Sequence, residues 1–411
     1  MSNPCSCKKV VATGARTTVI MQEQRCFGFL NGEVATPTNY LGQPKKLEIT
    51  SESMINEIGT FQSAALTPER AVVRRQQGTS AIGGDITVEL SGNGYAWMIV
   101  QAIGKIVGAG ASNDPYTILP VDSAGVNYDE TAGYKQNSDL YASEEITYNP
   151  ACSDCLGYEQ GYYEIDAFSM EPGMTLFISR DGGTIGGPTG AQPVNQWWFK
   201  YVGEKVNTWS ITASPTEIVT STFSLLGRLE EIVDIPEPTS ISRPDINDPF
   251  SGFNGEITID GDTECILSFD LTVNNNLGAD QYCMGDRYRN SMPEGRREIE
   301  GTITTELTDL VFYNKFLNQI SARMVVNFDL FADTAPNTET MKIILPKVEF
   351  NGTTPTSSGP EAIVQELPFI ALFDKDTGAA DYDSLLTKGA LTVAPNGFDI
   401  AIEIVTAGQL V

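Results

Sequence analysis

Four of the seven cysteines lie in two short clusters whose spacing could bind a metal ion. Cys152 and Cys155 form a CxxC pair, a usual half of a tetrahedral zinc site, and Cys5 and Cys7 form the less common CxC pair. The same thiols could instead form disulfides between the two segments or remain reduced. An odd number of cysteines in a long chain argues against a disulfide framework. We predict no metal and no cofactor, and whether these cysteines pair stays open.

Carboxylates between Asp374 and Asp383 are spaced rather like the ligands of a calcium loop. This segment lacks the glutamate at the twelfth position and the flanking helices of an EF-hand, so an acidic hairpin tip is the better interpretation. The segment from Asp245 to Glu256 fails the same test, because Phe250 stands where the loop needs glycine. We therefore predict a calcium site in neither segment.

An aromatic run, Trp197–Phe199 followed by Tyr201, could stack sugars or bases. Its place within a predicted strand favours packing across a sheet or a subunit boundary instead. The glycines between Gly182 and Gly187 lack the strand-then-helix order that a phosphate-binding loop requires, so they predict a flexible turn.

The chain contains no histidine, which removes serine–histidine hydrolases, cysteine–histidine proteases and most catalytic zinc sites. A glycosidase with paired carboxylates is not excluded, but among 53 acidic residues some suitably spaced pair is inevitable. The net charge of −27, from 26 basic and 53 acidic residues, leaves little surplus cation for binding duplex DNA. We predict a protein that is not an enzyme.

The 411 residues are 41% hydrophobic, which is enough for a sizeable core without disulfide or metal staples. The N-terminus has no apolar run of the length of a secretory signal. The most apolar helix-like stretch, Tyr95 to Gly110, is too short to span a bilayer. The sequence therefore predicts a soluble protein folded in a cytoplasm.

Short runs rich in Val, Ile, Thr, Phe and Tyr, separated by glycine and proline, dominate the chain. Apolar and polar residues alternate in Asp85–Leu90, Val219–Leu225 and Ser268–Asn274, as is typical of half-buried antiparallel strands. Only Tyr95–Ile106 and Leu310–Ile320 carry the spacing of an apolar helix face. The pattern predicts an all-β protein, mainly an antiparallel β-sandwich or barrel, with two short helices.

Matches between the two halves predict an internal duplication. They occur in the same order at nearly constant offsets, and a helix follows the last strand in each half, which is hard to obtain by chance. The matched pairs are Gly28–Val34 with Gly252–Ile257, Ile49-Thr50 with Leu271-Thr272, and Gly84–Leu90 with Gly301–Leu307.

A linker and an insertion separate the repeated segments. Four prolines within residues 235–249 forbid regular strand pairing and predict an extended connector. Residues 108–172 have no equivalent in the second half; their 65 residues include 12 acidic side chains, one basic side chain (Lys135) and eight tyrosines. We interpret this insertion as a surface excursion, or alternatively as a small binding module.

Together these features resemble the major tail tube proteins of long-tailed bacteriophages. The resemblance covers most of the chain apart from the insertion and the first dozen residues. It is carried by Phe27–Phe29, Asn31–Glu33, Arg74–Gly78, Gly83–Leu90, Tyr95–Gly104, Val202–Thr212, Val219–Gly227, Phe269–Asn276, Gly295–Arg297 and Gly301–Leu317. Members are β-sandwiches with a flanking helix that form rings around a continuous β-barrel channel. Most form hexamers, and duplicated members form trimers with pseudo-sixfold symmetry.

The resemblance and the duplication imply two tandem tube-like domains, each with one short helix. The expected organisation is an N-terminal arm (1–14), a first domain (15–234) carrying the insertion, the linker (235–249) and a second domain (250–411). The implied function is a structural tail tube subunit whose trimeric rings stack into a hollow tube that conducts DNA during ejection. The implied partners are further copies of the chain, the tape-measure protein and other tail proteins, with no membrane. The expected location is the virion tail, after assembly in the host cytoplasm.

Physical reasoning supports ring formation and an acidic channel. The edge strands of a sandwich tend to pair with other chains, and two units per chain would let three chains close a six-unit ring. We expect the channel to be net acidic, because such a wall denies DNA phosphates a local cation. The alternatives are another repeating β-rich virion or surface-layer protein, such as a capsid decoration or S-layer-like subunit, and a carbohydrate-binding or glycosidase module.

Overall fold

The computed structural model describes residues 17–24, 40–63, 74–91, 95–107, 116–120, 173–180, 198–233, 248–308, 310–330, 339–352, 354–355, 362–374 and 399–405. Paired strands dominate this part of the chain, and every pair is antiparallel, which confirms the all-β prediction. Its first elements are β1 (Thr18–Gln24), β2 (Tyr40–Leu47), β3 (Ser51–Glu52), β4 (Ile55–Gln62), β5 (Arg75–Glu89), α1 (Ala96–Ile103), β6 (Gly104–Val107), β7 (Tyr116–Pro120), β8 (Met174–Ser179), β9 (Trp198–Ala213), β10 (Thr220–Gly227) and β11 (Leu229–Val233). The later elements are β12 (Gly255–Ile259), β13 (Asp262–Glu264), β14 (Ile266–Asn274), β15 (Glu298–Glu306), α2 (Val311–Asn318), β16 (Ala322–Leu330), β17 (Glu339–Phe350), β18 (Val364–Ala371) and β19 (Ala401–Val405).

The strands form two sets with the same pairing order, called here the first unit (β1–β5, α1, β8–β11) and the second unit (β12–β19, α2). Neighbours run β2–β1–β8–β9–β10–β5–β4 in the first unit and β13–β12–β16–β17–β18–β15–β14 in the second. A further strand pairs with β9 and with β17, namely β11 and β19. The bulge between Met174 and Leu176 also recurs, between Ala322 and Met324. This recurrence supports the predicted duplication, whereas the domain boundaries stay a prediction.

The strand pairing reproduces one of the three sequence matches. Gly84 lies opposite Leu225, and Gly301 lies opposite Phe369, each at the same position in equivalent strands, so Gly84–Leu90 and Gly301–Leu307 correspond. Because β4 pairs with β5 as β14 pairs with β15, the counterpart of Leu271 is Met54, which is equally buried. The predicted match of Leu271 with Ile49 is therefore wrong by five residues.

The match of Gly252–Ile257 with residues 28–34 differs from the equivalence that the strand pairing indicates. The strand equivalent to β12 is β1, because Val19 pairs with Ile178 as Ile257 pairs with Val326. The sequence comparison instead aligned Gly252–Ile257 with residues 28–34, which lie outside the described residues.

Gly84 and Gly301 have a common steric role. A Cβ atom on Gly84 would lie 2.5 Å from the carbonyl oxygen of Ser53, and one on Gly301 would lie 2.3 Å from that of Asp270. Ser53 and Asp270 are themselves equivalent positions, so both units bring a neighbouring backbone against the same glycine. Any side chain there would push the strands apart, because real Cβ contacts are not that short.

The described helices α1 and α2 follow the equivalent strands β5 and β15, and both are shorter than predicted. The predicted helix Tyr95–Ile106 ends at Ile103, because Gly104–Val107 forms β6. Strand β6 pairs with β7, which in turn pairs with β19 of the second unit. Tyr116–Pro120 of the predicted insertion therefore belongs to the sheet and is not a surface excursion. Among the described helices, none is long and apolar enough to cross a membrane.

Candidate assembly interface and channel surface

The two units share one antiparallel sheet because β14 pairs with the end of β9. The register runs from Phe269 opposite Ala213 to Asn274 opposite Thr208. The resulting strand order is β4–β5–β10–β9–β14–β15–β18–β17, with four strands from each unit. Apolar residues of one face, such as Ile86, Phe223 and Leu271, are buried in the core, as the alternating sequence predicted.

The opposite face of this sheet is acidic and rich in hydroxyl groups. Between its apolar positions stand threonines and serines of β9, β10, β14 and β15. Strand segments 83–89, 208–213, 220–227, 266–274, 298–306 and 364–371 contain no lysine or arginine. Their seven carboxylates are all exposed: Asp85, Glu89, Asp270, Glu298, Glu300, Glu306 and Glu366. A phosphate chain lying along this face would meet no cationic side chain from these segments.

Polar side chains of the second unit cap the C-terminal end of α1. The Asn275 Nδ2 donates hydrogen bonds to the carbonyl oxygens of Ala102, at 2.8 Å, and Val206, at 3.0 Å. The Arg297 Nη1 donates to the carbonyl oxygen of Ile103 at 2.8 Å, and its Nε pairs with Asp399 at 3.0 Å. The hydrogen bonds to Ala102 and Ile103 satisfy carbonyls that the end of a helix leaves without intrahelical partners, and the one to Val206 links Asn275 to β9.

The β14–β15 loop, residues 275–297, folds onto the first unit around Arg289. The buried Arg289 guanidinium donates to the carbonyl oxygens of Ile82 and Gly227, both at 2.6 Å, and of Ala279 at 2.7 Å. Three carbonyls from three separate segments thus depend on one side chain. Arg289 therefore joins the second unit to β5 and β10 of the first.

Glu204 of β9 is completely buried near this arginine. Burial raises the pKa of its carboxyl group from the ordinary value of 4.5 to about 8, although the positive charge of Arg289 acts in the opposite direction. Neither carboxyl oxygen has a hydrogen-bond partner among the described residues. The side chain packs over Gly227, where a Cβ atom would lie 1.7 Å from Oε1. We therefore expect Glu204 to be mostly neutral at pH 7.

Replacing Glu204 with glutamine should make the stability of the protein less dependent on pH. Because the pKa rises on folding, the favourable contribution of the proton is complete below about pH 4.5 and is lost as the pH rises through about 8. The native protein should therefore lose up to about 5 kcal/mol of unfolding free energy across this window relative to Glu204→Gln. Urea unfolding of both proteins between pH 5 and 9 measures the difference. Parallel pH profiles would show that Glu204 is not the group responsible.

The joint between the units is the contact of β14 and loop 275–297 with β9 and α1. Each side of this joint has an equivalent surface elsewhere in the chain that is more exposed. Ile103, at the end of α1, is covered by the second unit and is 3% exposed, whereas Ile320, in the turn after α2, is 50% exposed. Asn275 is 8% exposed, whereas its equivalent Ile58 is 39% exposed. Ile55 and Phe61 of β4 are also exposed, at 60% and 65%. These differences are those expected if each open half is covered by another copy.

The strand segments that pair at the joint also have equivalents elsewhere in the chain. Segment 208–213, which accepts β14, corresponds to the segment that begins at Asn351 after β17, because Ser224 faces Thr208 as Pro368 faces Asn351. Segment 52–57, on the edge of the shared sheet, corresponds to 269–274 of β14. In the described part of the chain no strand pairs with the outer edge of residues 351–352 and 354–355 or with the outer edge of β4. The edge before β4 is already in use, because the Met54 carbonyl oxygen accepts hydrogen bonds from Arg180 Nη2 at 2.7 Å and from the Tyr201 hydroxyl at 3.3 Å. Among the described residues, the open acceptor edge therefore begins at Asn351, and the open donor edge is 55–57.

The residues singled out for possible chemistry have different outcomes. Cys5, Cys7, Cys152 and Cys155 lie outside the described residues, as do the glycines between 182 and 187. Of the acidic segment 374–383, only Asp374 is described. Trp198 and Tyr201 are buried in β9, so these two rings cannot form an exposed stacking platform. Trp197 also lies outside the described residues.

The residues that join the units could not be found from sequence motifs. Asn275, Arg289 and Arg297 stand in a loop without alternating hydrophobicity, and their partners are far away in sequence. The sequence gives one indication: Arg297 lies in Gly295-Arg296-Arg297, a segment that contributes to the family resemblance but that does not by itself predict a contact between the units.

Comparison with known proteins gives one match. A family model described as phage tail tube protein matches residues 22–371. No curated protein that was compared with the chain matches it.

Proposed function

The chain belongs to the phage tail tube protein family, and from this premise we propose that three copies close a ring that stacks into the tail tube. Membership makes the protein a structural component of a virion tail, which assembles with itself and with other tail proteins. The proposed finer role is to surround the tape-measure protein during assembly in the host cytoplasm. The finished tube would later conduct DNA without catalysing a reaction.

The observation that carries this proposal is the pair of open joint halves. Within the chain, donor segment 269–274 pairs with acceptor segment 208–213. Repeating this contact between chains would pair donor segment 55–57 of one copy with the acceptor edge that begins at Asn351 in the next. A head-to-tail contact closes into a ring when its rotation divides a full turn. Three chains with two units each would give six units and, from eight shared strands per chain, a barrel of about 24 strands.

The acidic face of the shared sheet would line the channel in this ring. The other face is occupied by the core, so only the acidic face remains to surround the channel. Seven exposed carboxylates per chain would give each ring 21. Because exposed charges act over about 8 Å at physiological salt, these carboxylates would not repel DNA from a distance, and the strand segments that carry them would offer its phosphates no cation.

Cysteine cross-linking tests the register of the proposed contact between chains. Thr208 faces Asn274 within the chain, so the equivalent pair between chains is Asn351 and Glu57, both of which are exposed. The double variant Glu57→Cys/Asn351→Cys should form covalent trimers of about 134 kDa, three times 44.5 kDa, after mild oxidation. Glu57→Cys/Thr354→Cys is the matched control, because its partner lies three residues, or about 10 Å, out of register.

The same sample separates this function from the alternatives. Electron micrographs of the native protein should show rings or hollow rods with threefold or pseudo-sixfold projections. Sheets would favour a surface-layer protein, and monomers at high concentration would contradict ring formation. Equal cross-linking of the two double variants would contradict the proposed register even if rings form.

A further inference from the structure

An acid-lined pocket of about 380 Å³ opens at one end of the shared sheet, outside the joint between the units. Glu48, Glu89 and Asp248 line it, together with Ser91 and Tyr95. No lysine or arginine is among its lining residues. The Tyr95 hydroxyl donates to the carbonyl oxygen of Glu48, and burial, together with the charges of Glu48 and Glu89, raises the pKa of Tyr95 above its usual value. The pocket therefore has the electrostatics of a site for a cation.

Ser91 gives a second, independent indication that the pocket has a missing occupant. Its side chain is 3% exposed, and its hydroxyl group has no hydrogen-bond partner among the described residues. Leaving a buried hydroxyl unpaired costs free energy, so such groups usually have a partner in the functional state. An incoming guanidinium group, with five donor hydrogens, could satisfy this hydroxyl and the carboxylates together.

Two arginine side chains, which could supply such a guanidinium group, lie at the opposite end of β5, the strand that ends at Glu89. Strand β5 begins at Arg75 and ends at Glu89, so its ends lie about 46 Å apart if the strand is extended. Arg74 and Arg75 are exposed where β5 leaves the β4–β5 hairpin, and neither has an ion-pair partner among the described residues. Within the described ranges, the Arg75 guanidinium donates one hydrogen bond, to the Thr60 hydroxyl at 3.3 Å.

We propose that Arg74 and Arg75 of one ring dock into the Glu48–Glu89–Asp248 pocket of the next ring, so that the occupant of the pocket is a second copy of this chain. The inference rests on the proposed function, because stacked rings place opposite ends of β5 against each other. Exposed ends of opposite charge attract and fix the direction of stacking, since two ends of the same kind would repel each other.

Both halves of this contact belong to the first unit alone. The counterpart of the β4–β5 hairpin is loop 275–297, which folds back onto the first unit through Arg289 and does not project. The residue that precedes α2 as Tyr95 precedes α1 is Leu310, which has no hydroxyl group. A three-chain ring would therefore make three such contacts with each neighbour, so that first units would stack on first units along the tube.

Charge reversal at the hairpin tests the proposal. Arg74→Glu/Arg75→Glu should leave rings intact but raise the protein concentration needed for tubes at least about tenfold at 0.15 M salt, because three ion-pair contacts per ring are reversed. Lys347→Glu, a single reversal on β17, is the matched control for Arg75→Glu alone and should leave that concentration unchanged. Combining Arg75→Glu with Glu89→Arg should restore most of the tube formation that Arg75→Glu alone removes.

The outcomes separate the two proposals. Sedimentation and electron microscopy count rings and tubes in each sample. Tubes forming at the native concentration in the double reversal, or no restoration by the charge swap, would overturn the docking of arginines into this pocket. Absence of rings from the native protein would instead overturn the proposed function.

Discussion

Replacing Arg289 with alanine should lower the free energy of unfolding by about 3–5 kcal/mol, because it leaves three buried carbonyl oxygens without a donor. The lost donors serve Ile82, Gly227 and Ala279, so both sides of the joint lose partners at once. The loss also removes the positive charge that favours ionised Glu204, so the pKa of Glu204 should rise further. Urea unfolding at pH 7 measures the first effect.

The same loop supplies a matched control for this substitution. Arg296 is exposed, and its hydrogen bond is made by its backbone carbonyl oxygen, so Arg296→Ala should change stability by less than about 0.5 kcal/mol. We also expect Arg289→Ala to form fewer rings, because the register between the two units is no longer fixed. If Arg289→Ala unfolds at the same urea concentration as Arg296→Ala, the guanidinium does not join the units.

Reversing three carboxylates of the acidic face should turn a surface that does not hold DNA into one that does. In Asp270→Lys/Glu300→Lys/Glu366→Lys, each three-chain ring would gain nine cations facing the channel. We expect affinity for short duplex DNA at 0.05 M salt to rise at least about a thousandfold, and to fall steeply with added salt, because each neutralised phosphate releases counterions. Fluorescence anisotropy of labelled duplexes with assembled tubes measures this affinity.

Two further variants show what the acidic wall contributes. Asp270→Asn/Glu300→Gln/Glu366→Gln removes the negative charge without adding cations, so it should bind DNA much more weakly than the lysine variant. Glu217→Lys/Glu256→Lys/Asp262→Lys makes three reversals at exposed positions outside the six strand segments of the acidic face. If this outer variant binds DNA as tightly as the channel variant, the acidic face does not surround the DNA path.

The sequence predicted the parts of the fold that depend on local alternation. Ile86, Val88 and Leu90 are buried as their spacing required, and α2 lies within the predicted segment Leu310–Ile320. The end of α1 was predicted too late, because the apolar spacing continues through Ile106 while pairing with β7 makes that residue part of a strand. The spacing of apolar residues along a segment does not show which distant segment will pair with it as a strand.

The joint between the units depended on information that the sequence does not show locally. In the sequence Glu204 looks like any polar residue of a strand, yet it is buried, packs over Gly227 and lies near the Arg289 charge of loop 275–297. The donors on that loop act on backbone carbonyls, and every residue has a carbonyl, so no pattern of side chains marks the acceptors. Repetition was the useful signal, because a contact found between the two units indicates what an open unit should bind.

The ladder between β7 and β19 has a mechanical consequence. The two units of one chain are held by two ladders, β14 with β9 and β7 with β19. Only three residues separate α2 from β16, so the second unit has no hairpin there to offer to the following chain. A closed ring would thus alternate doubly and singly fastened seams, and under tension it should break into intact polypeptides at its three weaker seams.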